Sequence, residues 1–305
     1  MSRKVTLLAA AAILAATSVA QAHLPADETF GAFQWPTNEL PVLDGDISEW
    51  NALPAELWVD SNDFGTTQGI AEVDPSDFFF RVAVGWNDEL ERIYFATERF
   101  DDVYDRNGDS RDDTFEFGWD TDHSGGDFWR GDLTEEAEVW RNRGSQAQSG
   151  HFAWPETLDG EDQGNWFWFW MTALGPGARW ASDEPFACCD DSYSIDGSME
   201  GEATLFAEWY VTGFDDYNYA DVGAGIHDLV EGEVIGVGMS VTDTDEVNAD
   251  GDVAFEKFVL GGENLIFGDA SFFSDYVLLE INEAALATAV ENDSWGRIKA
   301  SYEGN

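Results

Sequence analysis

Two neighbouring β-rich runs constrain this fold more than any other feature of the sequence. Residues 78–86 read FFFRVAVGW and residues 92–100 read RIYFATERF, so both are rich in aromatic and β-branched side chains. A short polar turn that begins Asn87-Asp88-Glu89 separates them. Two such runs joined by a short turn predict a β-hairpin, and hence an antiparallel sheet.

The rest of the chain repeats this strand-like character and has little helical periodicity. Further strands are predicted at residues 58–59, 114–119, 165–172, 202–212, 233–242 and 272–281. Only residues 132–143 and 283–289 have the composition of a helix. Alternation in residues 114–119 places Phe115 and Phe117 on one face, which is typical of a core-facing strand. We therefore predict an all-β fold, an antiparallel β-sandwich.

The two ends of the chain differ from this β-rich middle. Residues 1–22 have Arg3 and Lys4, then an apolar run, then Ala20-Gln21-Ala22, which is the pattern of a cleaved secretory signal peptide. We expect an N-terminal arm without regular structure at 23–41, one β-sandwich domain at 42–282 and a tail at 283–305. No other segment approaches the roughly 20 apolar residues that span a bilayer, so we expect a secreted or periplasmic protein.

Acidic residues dominate the charge. The chain has 62 Asp and Glu against 14 Lys and Arg, a formal net charge of −48. Such a surface repels nucleic acid and anionic membranes. Beyond the signal peptide the only lysines are Lys257 and Lys299. An acid-rich, lysine-poor surface is typical of a protein in high salt, where counterions screen the repulsion, and it favours a halophilic source.

An acidic loop after the hairpin is the strongest candidate for a metal site. Its closely spaced oxygen-bearing side chains are Asp105, Asn107, Asp109, Asp112, Asp113 and Glu116. Calcium takes roughly 6–8 oxygen ligands and tolerates irregular geometry. The glycine of the loop, Gly108, does not fall where an EF-hand requires one. The alternative is a solvated acidic loop. We predict calcium here, and a second cation site in the acidic turn at 243–252.

The strand predicted at residues 165–172 carries a candidate ligand surface. Its Trp166, Trp168 and Trp170 alternate, and apolar residues fill the positions between them. A strand with two apolar faces either lies inside the sandwich or offers one face to a flat ligand such as a sugar ring. Aromatic rings stack on the apolar faces of sugars. These three tryptophans are therefore the candidate carbohydrate-binding residues, with core burial as the alternative.

The order of several motifs resembles a known family. The motifs are Leu43-Asp44-Gly45 with Trp50, residues 92–96 running into 101–102, residues 112–116, residues 120–122, residues 208–209, and residues 232–236 followed by 243–245. In this order they resemble the carbohydrate-binding module family 9-like domains, which are related to the DOMON group. The resemblance spans residues 40–276, with long insertions at 132–191. It implies a jelly-roll-type β-sandwich with long loop insertions, non-catalytic binding of a polysaccharide or glycan, and structural calcium held by acidic loops.

Other functions stay open. The chain can instead be a structural or adhesive surface protein that binds no small ligand. A copper site would use His23, which becomes N-terminal if cleavage follows Ala22. A hydrolase is unsupported, because the sequence lacks the common nucleophile, zinc and phosphate-loop motifs. A haem-binding domain would take axial ligands from the available groups, which are Met171, Met199, Met239, His123, His151, His227, Lys257 and Lys299.

The only two cysteines, Cys188 and Cys189, are adjacent in the sequence. In an oxidising compartment they can form a vicinal disulfide, pair between chains or stay free. None of these arrangements joins distant segments of one chain, so stability does not depend on a disulfide framework.

Overall fold

The computed structural model describes residues 25, 28–66, 73–104, 113–128, 144–154, 157–158, 161–162, 167–169, 179–188, 192–198, 201–218, 220–244, 256–261 and 268–281. In these ranges no helix is long and apolar enough to cross a membrane. The 3-10 turns are Trp50–Ala52, Ala55–Leu57, Arg179–Ser182 and Ala270–Phe272. The strands are β1 (Thr29–Gln34), β2 (Trp58–Asp60), β3 (Phe64–Thr66), β4 (Phe78–Asn87), β5 (Arg92–Asp101), β6 (Phe115–Asp120), β7 (Gln148–Phe152), β8 (Thr157–Leu158), β9 (Glu161–Asp162), β10 (Phe167–Phe169), β11 (Ala187–Cys188), β12 (Tyr193–Gly197), β13 (Ala203–Val211), β14 (Val234–Asp243), β15 (Glu256–Leu260) and β16 (Ser274–Leu278).

Apart from β8 and β9, which form a separate two-stranded sheet, the strands form two layers, called sheet A and sheet B. In sheet A the strands lie in the order β10-β7-β6-β14. On the side of β14 away from β6, β16 pairs with the first part of β14 and β15 pairs with its last part. Sheet B is built on β4-β5-β13, with β2 beside β4 and with β11 and β12 beside β13. Every pair is antiparallel except the two made by β1. The all-β sandwich predicted from the sequence is confirmed.

A dense aromatic core holds the two sheets together. Phe115 and Phe117 of β6 are each 1% exposed, as the alternation in the sequence predicted. The ring of Phe117 lies 4.7 Å from that of Trp209 and 5.2 Å from that of Phe95, both of which belong to sheet B. Rings of this size bury a large apolar area and make additional favourable edge and stacking contacts. These phenylalanines and tryptophans therefore stabilise the interior between the two sheets.

A second apolar cluster covers the outer face of sheet B. The segment before β2 contributes Trp35, Ile47 and Trp50, which pack on Ala83 and Tyr94 of the hairpin. The rings of Trp35 and Trp50 lie 5.1 Å apart. This arrangement explains why the hairpin strands read as nearly continuous apolar runs, since both of their faces are buried.

The N-terminal segment differs from its prediction. Residues 23–41 were expected to be an arm without regular structure, but residues 29–34 form β1. Its first half pairs with β16 of sheet A and its second half with β4 of sheet B, both in parallel register. Because the strand passes from one core to the other, Ala32 is buried in the main cluster and Phe33 in the second. A strand buried on both faces has no alternation for sequence reasoning to detect.

The other predicted elements are found close to their expected bounds. The hairpin β4–β5 pairs in register from Phe78 opposite Asp101 to Asn87 opposite Arg92. The predictions for residues 58–59, 114–119, 202–212, 233–242 and 272–281 correspond to β2, β6, β13, β14 and β16. The two helical predictions, the signal peptide and the C-terminal tail lie outside the described residues. Cys188, at the end of β11, is disulfide-bonded.

Candidate functional site

Three buried carboxylates converge at one end of the sandwich. Asp101 ends β5, Asp113 precedes β6 and Asp243 ends β14. Each offers an oxygen that lies within 4.8 Å of the other two, and all three residues are buried. Strands β6 and β14 are antiparallel neighbours, so the start of one and the end of the other meet at the same edge. We call this group the carboxylate centre.

Arg99 is the positive charge inside the carboxylate centre. Its Nη2 atom lies 2.5 Å from Asp101 Oδ2 and 2.7 Å from Asp113 Oδ1, and its side chain is completely buried. Burial alone lowers the pKa of the guanidinium, but the carboxylates of Asp113 and Asp101 outweigh burial and raise the pKa above its ordinary value. One permanent positive charge therefore stands among three acidic groups.

Hydroxyl groups and backbone amides complete the carboxylate centre. Thr244 donates to Asp113 Oδ1 from both its backbone N–H and its Oγ1, each at 3.2 Å. Beside it, the Oγ1 atoms of Thr114 and Thr242 lie 2.9 Å apart, and the Thr114 N–H donates to Thr242 Oγ1. These bonds tie the entry of β6 to the exit of β14. The carboxylate oxygens of the centre are hard ligands of the kind that calcium binds.

The predicted metal ligands are only partly within the described residues. Asp113 lies in the carboxylate centre, whereas Asp105, Asn107, Asp109 and Asp112 lie outside the residues that the structure describes. The second predicted cation site, at 243–252, contributes Asp243 to the same centre. Its residues 245–252 lie outside the residues that the structure describes. Asp113 and Asp243, which the sequence assigned to separate sites, therefore lie in one centre.

Glu116, the last predicted ligand, is separated from Asp113. It stands between the core-facing Phe115 and Phe117, so its side chain points to the opposite face of β6. There it accepts hydrogen bonds from the ammonium of Lys257 and, at 2.8 Å, from Ser240 Oγ. Burial raises the pKa of Glu116, but the charges of Lys257 and of the nearby His151 outweigh it and lower the pKa.

The tryptophan strand, β10, lies at the edge of sheet A in the part of the chain that the structure describes. Within the described residues β10 has one neighbour, β7, and Trp168 is in register with His151. The same register continues from His151 to Glu116 on β6 and from Glu116 to Ser240 on β14. Trp166 and Trp170 lie outside the described part of the chain. A row of polar residues therefore runs across sheet A and ends at the strand that contains Trp168.

The groups proposed as alternative redox ligands have other contacts. His123 Nε2 lies 2.9 Å from Asp275 Oδ1. His227 is held between two carboxylates, Asp215 at 2.5 Å and Glu233 at 3.1 Å. Met239 is fully buried in the core, and Lys257 contacts Glu116. His23, Met171, Met199 and Lys299 lie outside the described residues.

Sequence reasoning missed two members of the carboxylate centre, Arg99 and Asp101, whereas Asp243 belongs to the predicted second cation site at 243–252. Asp101 and Asp243 share one signal, which is an acidic residue directly after a predicted strand. Arg99 has no comparable signal, because its position in β5 looks like any polar residue on a strand.

Comparisons with known proteins return similar solved structures at low sequence identity. No protein-family model and no curated protein matches the sequence. Two similar solved structures are of a carbohydrate binding module family 9 domain from Caldicellulosiruptor kristjanssonii. The complex with glucose has a TM-score of 0.47 and 11% sequence identity, and the match covers 83% of this chain and 96% of that one. The complex with cellotriose has a TM-score of 0.46 and 11% identity, with 84% and 97% covered.

Proposed function

We propose that this chain is a secreted, non-catalytic carbohydrate-binding protein whose fold is stabilised by calcium. The observation that carries the binding function is the position of the tryptophan strand. A strand at the edge of a sheet, with alternating tryptophans and a polar row in register beside it, can offer rings to a sugar face and polar groups to its hydroxyls. Trp166, Trp168 and Trp170 are the proposed sugar-stacking residues.

The calcium part of the proposal rests on the charges of the carboxylate centre. Asp101, Asp113 and Asp243 converge beside Arg99, and all three carboxylates are buried. Buried charges are costly unless they are paired or bound to a metal. A divalent cation held by Asp101, Asp113 and Asp243 would balance the site, and the loop at 105–112 could add further oxygen ligands. Export follows from the signal-peptide pattern of residues 1–22.

Retention on insoluble polysaccharides tests the binding function. The full chain is mixed with cellulose, xylan or chitin in high salt, and the bound fraction is measured before and after Trp168→Ala. We expect retention on at least one polymer and its loss in the variant. Trp58→Ala, a half-buried tryptophan of sheet B, is the matched control and should keep retention. Absence of retention on every polymer would favour a structural or adhesive role instead. Glucose and cellotriose are the first soluble ligands to test.

A further inference from the structure

The disulfide bond of this chain joins two adjacent residues. Cys188 is disulfide-bonded, and Cys189 is the only other cysteine in the sequence. A bond between neighbours closes the shortest possible loop, so it restricts the unfolded chain far less than a bond between distant segments does. The bond therefore contributes little to global stability, and its effect is local.

The disulfide lies where the edge of sheet B changes its register. β11 ends with Cys188 opposite Tyr210 of β13. Pairing with β13 resumes at Ser192, whose carbonyl accepts from the Glu208 N–H, and β12 continues in that register. One residue of β13 lies between these two points, whereas three residues, 189–191, lie between them in the edge segment. Extra residues in one strand of a pair form a bulge, which interrupts the pairing and bends the strand. The disulfide therefore stands at the start of a bulge.

This bond has two properties of a readily reduced disulfide. Adjacent Cα atoms lie about 3.8 Å apart across a trans peptide bond, whereas the Cα atoms of ordinary disulfides lie about 4.4–6.8 Å apart. The ring that two neighbouring cysteines close is strained for this reason, and strained or accessible disulfides are the ones that thiols reduce most easily. Cys188 is also only half-buried, so a thiol can approach it from the open edge of the sheet.

Contacts on both sides of the bulge limit how far a change there can spread. Before it, Arg92 Nη2 donates to the Pro185 carbonyl at 3.1 Å, and the same guanidinium lies 3.9 Å above the ring of Tyr210. After it, Ser192 Oγ donates to the Leu43 carbonyl at 2.7 Å. These contacts tie the edge segment to sheet B on either side of the disulfide. Opening the ring should therefore loosen the bulge and leave the sandwich intact.

We propose that the Cys188–Cys189 disulfide is a redox latch on the edge of sheet B, which a dithiol reductant opens in the folded protein. A thiolate of the reductant attacks one cystine sulfur, the S–S bond breaks, and a mixed disulfide forms. The second thiol of the reductant then attacks the reductant's own sulfur in that bond, and the reductant leaves as a disulfide. The protein sulfurs gain two electrons and two protons, which the reductant loses. With the ring open, the pairing of Cys188 and Ser192 with β13 weakens.

Treatment of the full chain with dithiothreitol under native conditions tests the latch. Free thiols are counted by alkylation and mass spectrometry, and amide hydrogen exchange is followed in the same samples. We expect both cysteines to be alkylated. Protection of residues 187–188 and 192–194 should fall at least about tenfold relative to the oxidised protein. Protection of the hairpin β4–β5 should not change, and reoxidation with oxidised glutathione should restore the protection of the edge.

The variant with Cys188→Ser and Cys189→Ser provides the matched control, because serine has nearly the shape of the reduced residue and cannot form the bond. It should show the low protection of the edge with and without reductant. If this variant does not fold, reduction and reoxidation of the parent protein decide the question.

Three results would overturn the proposal. In the first, no cysteine is alkylated until the protein unfolds, so the bond is closed to reductants in the native state. In the second, both cysteines are alkylated but the protection of the edge stays the same. In the third, the hairpin β4–β5 loses protection together with the edge, which would make the bond a determinant of global stability.

Discussion

The Nη2 atom of Arg99 lies 2.7 Å from Asp113 Oδ1, with both side chains fully buried. This ion pair links β5 of sheet B to the segment that enters β6 of sheet A. It therefore crosses between the two layers of the sandwich at the end where the carboxylate centre lies. The layers are joined there by charge and hydrogen bonds, and elsewhere by the aromatic core.

Replacing Asp113 with Ala should destabilise the fold strongly. The change leaves the buried Arg99 with one fewer partner and removes the acceptor used by Thr244, and breaking a buried pair costs about 3–5 kcal/mol. Urea denaturation measures the free energy of unfolding. The matched control is Glu98→Gln, because Glu98 pairs with Arg81 at a site about a quarter exposed to solvent. An exposed pair contributes roughly 0–1 kcal/mol. Equal effects of the two substitutions would contradict the structural role of the carboxylate centre.

Calcium should raise the melting temperature at low ionic strength, and a chelator should lower it. A ligand that binds only the folded state stabilises it by about 2.7 kcal/mol at about a hundredfold excess over its Kd. Magnesium and ionic-strength-matched sodium chloride distinguish specific binding from screening of the acidic surface. Asp243→Asn should reduce the calcium effect, whereas Asp122→Asn, at an exposed position, should preserve it. Identical melting curves with calcium and with chelator would exclude a stabilising metal.

Most of the fold could be predicted from the sequence, whereas the carboxylate centre could be predicted only in part. Strands such as β6 alternate because one face packs on the core, and this alternation is visible in one dimension. β1 was missed because it is buried on both faces. Arg99 was missed because its partners include Asp113, fourteen positions away, and no local spacing predicts that contact.

Glu208 should make stability decrease as the pH rises from about 4.5 to about 7. Its carboxylate accepts from Trp50 Nε1 at 2.7 Å and from the Gly45 N–H at 3.1 Å, which holds the N-terminal turn onto sheet B. Burial raises its pKa from 4.5 to about 7, so the folded state keeps a proton that the unfolded chain releases. The stabilisation is fully present below the unfolded value and is lost as the pH rises through the folded one.

Glu208→Gln isolates this effect from the other acidic groups. Relative to the variant, the parent protein should lose up to about 2–3 kcal/mol across that pH window, a figure reduced for screening by solvent. Urea denaturation of both proteins at several pH values and constant salt measures the difference. A difference that does not change with pH would contradict the raised pKa of Glu208.

The contribution of His227 to stability should change in a higher pH range than that of Glu208. Burial lowers the pKa of its imidazole, but the hydrogen bonds to Asp215 and Glu233 outweigh burial and raise the pKa above its ordinary 6.5. The ion pairs are therefore fully formed below pH 6.5 and weaken as the pH rises through the raised pKa. In the parent, the amide protection factors of residues 213–218 and 220–233 should fall across that range. His227→Gln should show low protection factors throughout, and equal pH profiles of protection for the two proteins would contradict the raised pKa of His227.

The affinity for a soluble oligosaccharide of the polymer that retains the chain tests the proposed function most directly. It is measured by titration calorimetry in the parent protein and in the variant with Trp166, Trp168 and Trp170 all changed to Ala. We expect the parent to bind and the folded variant to lose at least about tenfold in affinity, because stacking on tryptophan contributes most of the contact with a sugar face. Equal affinities in the two proteins would show that the tryptophan strand does not bind the saccharide.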